Sequence, residues 1–213
     1  MHPYTTATGP RYMPANRDNV TIGVLGRLTH ALDRAARAGA LPRRLPIYVT
    51  EFGVQSFPDR IAGVSLDRQA DYRSIAEWIA YRNPRVKSFS QYLLRDDRTI
   101  AGAHGAFESG LILFKGNRLK PSFEGFRLPL VVIPARGHVS LWGFVRPAHG
   151  RAGLLVIQAK DRGHGWRRIA TQRYGPSGYW TRGRLATRRG RAWRVLWTDP
   201  SGTVHAGPAT IAR

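Results

Sequence analysis

The sequence predicts two fold classes in succession, α/β and then all-β. Residues 1–127 make up the α/β region and residues 128–213 a small β-sandwich. Three observations predict this. In the first region amphipathic helical stretches alternate with short apolar runs, the order of a parallel α/β unit. In the second, short β-like runs are separated by the turn sequences PAHGRAG, DRGHG, YGPSG and DPSG. Composition also shifts. The first region carries 19 basic and 11 acidic residues, the second 15 basic and 2 acidic, and five of the six Trp lie in the second. The boundary is expected near Leu128–Pro134.

Each element has its own signal. From Thr21 to Ala38, Ile22, Leu25, Leu28, Leu32 and Ala35 recur at helical spacing, and Gly39 follows as a stop. Pro46-Ile-Tyr-Val-Thr-Glu51 is an apolar run rich in β-formers and reads as a buried strand ending at Glu51. Asp67 to Tyr81 reads as a second helix, capped by Ser65 or Asp67, with Ile75, Trp78 and Ile79 inside. Asn83-Pro84 ends it. Val86 to Leu94 reads as another strand, Leu111 to Phe114 as a short extra one, and Pro121 to Phe126 as a short helix. Beyond the boundary, HVSLWGFV, GLLVIQAK, WRRIATQ, GYWTRGRL, RAWRVLWT and TVHAGPATIA read as strands. Trp193, Val195 and Trp197 alternate with Arg194 and Leu196, as a half-buried strand requires.

Composition narrows the chemistry. The 42% apolar content suffices for a packed core. No apolar run approaches the ~20 residues of a membrane-spanning helix. With no cysteine, disulfides, thiolate metal sites and cysteine catalysis are excluded. The net charge of +21 comes from 30 Arg and 4 Lys against 13 acids, which makes nucleic acid or an anionic surface an eligible partner. The text around RAARAGALPRR equally fits a GC-rich genome. No phosphate loop and no dinucleotide glycine fingerprint is present, so no cofactor is expected. His104, His138, His149, His164 and His205 lack paired metal-ligand spacing, so no metal is expected. Ser109 in Glu-Ser-Gly lacks the pattern of a nucleophile elbow.

Thr50-Glu51-Phe52-Gly53 is the sharpest feature. A carboxylate at the end of an apolar strand is costly to bury without a role. One role is nucleophilic attack on an anomeric carbon. The alternative is that Glu51 caps the following loop or pairs with an Arg. The stretch resembles the seventh strand of retaining (β/α)8 glycoside hydrolases of the cellulase and β-xylosidase superfamily. His2-Pro3-Tyr4, one helix earlier, looks like the end of the sixth strand, and Ser88-Phe-Ser-Gln-Tyr92, one helix later, falls where the eighth belongs. The resemblance covers residues 1–127. It implies a partial (β/α)8 barrel of strands six to eight, a carbohydrate substrate, and Glu51 as the nucleophile. It also implies Tyr4 hydrogen-bonding or positioning Glu51, His2 lining the sugar site, and Gln91 and Tyr92 on the rim or floor of the subsite.

The chain departs from that family in two respects. Where many members carry a Trp platform after the eighth strand, Gln91-Tyr92 stands instead, so the platform comes from elsewhere or the subsite differs. The acid/base Glu of the fourth strand, often after Asn, has no counterpart, since no Asn-Glu pair occurs. Glu77 lies in a helix, Glu108 in a loop, and Glu124 suits a helix start. Asp96-Asp97 either touch substrate or are solvated or bonded to Arg95 and Arg98. A full barrel takes about 250 residues. The opening MHPYTTATGPRYMP, without a signal-peptide pattern, therefore reads as internal to a longer protein, extracellular if that protein carries a signal peptide. As it stands the chain is expected to lack efficient hydrolysis. A second reading is a non-catalytic basic β-sandwich that binds polysaccharide or an anionic polymer through its Arg-rich C-terminal region. Trp166 and Trp180, beside Arg167, Arg168 and Arg182, are its surface candidates, while Trp193 and Trp197 suit the core.

Overall fold

The computed structural model describes residues 1–98 and 106–212, so His104 lies outside the described residues. The chain divides into two compact units, Met1–Leu119 and Lys120–Arg213. Among the described residues there are three α-helices, and the strands form open sheets of two, three and five, none of which closes into a barrel.

In the first unit, a 3-10 turn (Ile22–Val24) leads into α1 (Leu25–Arg37). Strand β1 (Ile47–Phe52), helix α2 (Leu66–Arg82) and strand β2 (Val86–Gln91) follow, and the two strands pair in parallel. Ser65 caps α2 by accepting the amide of Arg68. Ile47, Val49 and Phe52 pack with Ile22, Leu25, Val54, Ala76 and Ala80 into one apolar core. The N-terminal residues lie beside β1: the Met1 amino group donates to the Tyr48 carbonyl at 2.8 Å, and the Thr50 amide donates to the Met1 carbonyl at 3.3 Å.

Three expectations are corrected here. β1 is buried on one face only, because Tyr48 and Thr50 are exposed. Helix α2 does not bury its largest apolar side chains. Ile75, Trp78 and Ile79 are half-buried, while Gln69, Arg73, Ala76, Glu77 and Ala80, at helical spacing, form the buried face. That face is tolerated because its polar groups are paired. Gln69 donates to the carbonyls of Val54 and Glu108, and Arg73 holds Glu77 at 2.8 Å. Leu111–Phe114 forms no strand: Ile112 makes isolated bridges to Arg95 and Leu119.

In the second unit, α3 (Pro121–Arg127) opens with Pro in its first turn, where no amide partner is lost. Strands β3 (Leu130–Ala135), β4 (His138–Phe144) and β7 (Tyr179–Ala186) form one antiparallel sheet. Strands β5 (Gly153–Lys160), β6 (Arg167–Tyr174), β8 (Ala192–Thr198), β9 (Val204–Ala206) and β10 (Thr210–Ile211) form the other, in the order β10-β8-β5-β6 with β9 beside β8. Both sheets contribute to a single core that includes Leu141, Ile157, Trp180, Trp193, Val195 and Trp197. An indole buries about 200 Å², so each buried Trp supplies ~5 kcal/mol of transfer free energy at about 25 cal/mol/Å².

The division between the units falls eight residues before the expected 127/128 boundary. Leu128 is fully buried in the second unit's core, and the Arg146 amide donates to the Arg127 carbonyl, so α3 belongs with the β-strands. The stretch where the boundary was expected is strand β3, whose first three residues are buried.

Candidate active site

Glu51 sits next to last in β1, and its side chain is about one-third exposed. Two groups converge on its Oε2: the Tyr4 hydroxyl donates at 3.1 Å, and His2 Nδ1 lies at 3.3 Å. The other ring nitrogen of His2 lies 3.1 Å from the Thr50 hydroxyl. The tautomer that satisfies both neighbours carries its proton on Nδ1 and accepts from Thr50. Oε1 has no polar partner among the described residues. Burial first, and then the hydrogen bond to Glu51, push the Tyr4 phenol above its ordinary value. Tyr4 therefore stays a proton donor to the carboxylate across the whole neutral range.

The backbone explains why these residues meet. Met1 pairs alongside Val49 in a parallel pattern, which carries His2 and Tyr4 past the C-terminal end of β1. The Pro3 carbonyl accepts the Ile22 amide and fixes the segment from the other side. Gly53, next after Phe52, is required by close approach: a Cβ there would lie 2.6 Å from Ser109 Cβ. The TEFG sequence thus ends a strand and admits the Ser109 segment against it.

An aromatic wall stands beside the carboxylate. Tyr4 stacks on Phe52 at 6.3 Å and meets the Tyr92 ring edge-on at 6.1 Å. Tyr92 in turn meets Phe107 edge-on at 5.2 Å, and Phe107 is partly exposed. The Tyr92 amide donates to the Phe52 carbonyl, tying the end of β2 to that of β1.

Of the predicted site residues, the structure brings His2, Tyr4 and Tyr92 into a cluster around Glu51. Gln91 is engaged elsewhere. Its Oε1 accepts from Arg73 Nε at 2.9 Å, and its Nε2 donates to the carbonyls of Tyr92 and Ser109 at 2.8 and 2.9 Å. It joins α2 to the segment around Tyr92 and Ser109. Asp96 is buried rather than solvated, and its Oδ1 accepts the Gly110 amide. Arg73, Ser109 and Phe107 were not foreseen. Their links to the site run across 15 residues or more, and no local spacing signals them.

In the second unit, Trp180 is buried, which corrects its assignment as a surface residue. Trp193 and Trp197 are buried as expected. Trp166 is half-buried, with the Arg194 guanidinium 4.3 Å above its ring. Glu124 lies 3.3 Å from Arg127 and 3.7 Å from His205, where a solvated helix start was expected. Among the described residues no group of His, Asp and Glu is placed to hold a metal, and no helix is long and apolar enough to cross a membrane.

No family model matches the chain, and no curated protein matches it. Among solved structures it is similar to β-glucuronidase 2 of Bacteroides uniformis covalently bound to cyclophellitol-6-carboxylate aziridine, at 10% identity over 89% of this chain and 24% of that one, with a TM-score of 0.38. It is similar to the β-D-mannosidase of Dictyoglomus thermophilum at 12% identity over 67% of this chain and 19% of that one, with a TM-score of 0.40. A further Bacteroides uniformis β-glucuronidase is similar at 10% identity over 88% of this chain and 24% of that one, with a TM-score of 0.36. The chain spans no more than a quarter of the length of each, and the likeness is partial.

Proposed function

We propose that the first unit carries the nucleophile half of a retaining glycoside hydrolase site, built on strands equivalent to six to eight of a (β/α)8 barrel, and that the second is an accessory β-sandwich. The observation that supports this best is the convergence of Tyr4 Oη and His2 Nδ1 on one oxygen of Glu51. A carboxylate held by two groups on Oε2 has its orientation fixed and Oε1 available for attack. Tyr92 and the partly exposed Phe107 supply an apolar surface beside it, in place of the Trp platform that the sequence lacks. Retention needs a second carboxyl about 5 to 5.5 Å from the first to protonate the leaving group. Glu77 is engaged with Arg73, Asp59 with Gln55 and two backbone amides, and Asp96 with Gly110. The acid/base is expected from strands beyond these, as the family resemblance implies.

The test uses a substrate that needs no acid. In a 2-deoxy-2-fluoroglycosyl fluoride, fluoride leaves with its electron pair as Glu51 Oε1 bonds to the anomeric carbon, and the ring fluorine slows hydrolysis of the resulting ester. The chain is incubated with gluco-, manno-, galacto-, xylo- and glucurono-configured reagents, and intact mass and peptide mapping follow. One sugar added at Glu51, and none in Glu51→Gln, is the expected result. Unlabelled chain across the panel, or label at another residue, would sink the assignment. Of the two Trp surface candidates for the second reading, a basic sandwich that binds polysaccharide or an anionic polymer, Trp166 remains and Trp180 is buried.

A further inference from the structure

We propose that the first unit has a second ligand site, a basic cleft at the N-terminal ends of β1 and β2 that takes a short anionic oligosaccharide. The cleft measures about 790 Å³, a size typical of small-molecule sites. Its cations come from three separate segments. Arg37 stands in the last turn of α1, Arg43 and Arg44 in the loop before β1, and Arg85 and Lys87 around the start of β2. Five cationic side chains thus face one carboxylate, Asp33.

That carboxylate is already engaged, since Asp33 Oδ1 accepts from Arg85 Nη1 at 2.6 Å. Arg85 is fixed further by donating from Nε to the Leu45 carbonyl at 2.6 Å, and its Nη2 has no acceptor among the described residues. Arg37, Arg43, Arg44 and Lys87 are exposed, and among the described residues none of them is ion-paired. A concave surface with four uncompensated cations concentrates anions.

The lining points to the chemical class. Charges spread over three segments suit a ligand with several separated anionic groups better than a single phosphate. Guanidinium groups pair with sulfate and carboxylate alike. No aromatic side chain lines the cleft, so bases of a single-stranded nucleic acid would find nothing to stack on. A duplex presents its phosphates on a convex surface too broad to enter. A few rings of a sulfated or uronic-acid glycan fit both the size and the charge. β1 begins at this cleft and carries Glu51 near its other end, roughly 15 Å away at about 3.3 Å per residue. The site is therefore separate and does not depend on Glu51 being a nucleophile.

The test measures binding of a sulfated heparin octasaccharide, a carboxylate-only octagalacturonate and a short DNA duplex to the 213-residue chain by calorimetry. Two variants accompany it: Arg37→Gln/Arg43→Gln/Lys87→Gln in the cleft, and Arg168→Gln/Arg182→Gln/Arg184→Gln on exposed positions of β6 and β7. At least one of the two glycans is expected to bind, more weakly as salt rises, with the arm that binds identifying sulfate or carboxylate as the recognised group. The cleft variant should lose about tenfold in affinity and the strand variant less than about twofold. The single Arg43→Gln, at an exposed loop position, should lose about threefold and guards against misfolding of the triple variant. The proposal is overturned if neither glycan binds, if the cleft variants bind like the parent, if the strand variant loses as much, or if the duplex binds more tightly through the same residues.

Discussion

Replacing Arg73 by Met should destabilise the first unit by about 3–5 kcal/mol, the usual effect of removing one partner from a buried ion pair. The side chains of Arg73 and Glu77 are only 3% and 7% exposed, with nitrogen and oxygen 2.8 Å apart. At an effective dielectric constant of about 20 their attraction is roughly 6 kcal/mol, most of it offset by loss of hydration. Burial alone draws the Arg73 guanidinium below its ordinary value, a sign of how much hydration has been given up. Without Arg73, the buried Glu77 carboxylate loses the guanidinium held 2.8 Å from it. In the double variant Arg73→Met/Glu77→Leu, that stranded charge is gone. Most of the loss should return, short by about 1 kcal/mol for the hydrogen bond that Gln91 Oε1 no longer receives. The assay is guanidinium-induced unfolding followed by circular dichroism at 222 nm, which reports chiefly α1 and α2. A single variant within 1 kcal/mol of the parent, or a double variant no better than the single, would refute the reasoning.

Three further outcomes are expected. Trp193→Ala should cost the second unit about 3–5 kcal/mol, and Trp193→Phe distinctly less, because Phe refills much of the space and removes an indole N–H that has no acceptor among the described residues; denaturant titration of both variants checks the order. Ser201 and then His205 hold the Asp199 carboxylate well below the usual range, so its contribution to stability is present above about pH 4 and is lost as pH falls toward its folded value; carbon-13 titration of Asp199 should show no midpoint near 4, and Ser201→Ala should move the midpoint upward. Tyr4 is shifted the other way: its contribution is intact below the ordinary phenol value of about 10 and is lost as pH rises beyond it, and Glu51→Gln should bring its absorbance titration part of the way back, since burial is the larger cause.

The elements legible in the sequence were those whose burial follows a period. Trp193, Val195 and Trp197 alternate inward along β8, and the helical spacing that runs from the 3-10 turn into α1 places Ile22 and Leu25 in the core, as the sequence predicts. The elements that escaped are those stabilised by pairing rather than by pattern. Helix α2 turns Arg73 and Glu77 inward, which no hydrophobic periodicity signals, because the two charges are buried as a pair. β3 escaped because it covers the core from 130 onward without the polar alternation of a half-buried strand. Trp180 escaped because its neighbours Thr181 and Arg182 are exposed and its burial is fixed by pairing of β7 with β4.

The site divides the same way. Glu51 was legible as the end of a visible β-forming run, whereas His2 and Tyr4 were suggested only by the family resemblance, and the pairing of Met1 along β1 is what brings them to Glu51. The support behind them was not. Arg73 holds Gln91, Gln91 holds the carbonyls of Tyr92 and Ser109, Tyr92 meets Tyr4 edge-on, and Tyr4 holds Glu51. On the proposed function, the buried ion pair in α2 has a use beyond stability, as the far end of a chain of contacts that leads to the carboxylate. Arg73→Met/Glu77→Leu separates the two roles. It should restore most of the stability while leaving the Gln91 amide without its guanidinium partner, so any slowing of Glu51 labelling in that variant reports positioning rather than unfolding.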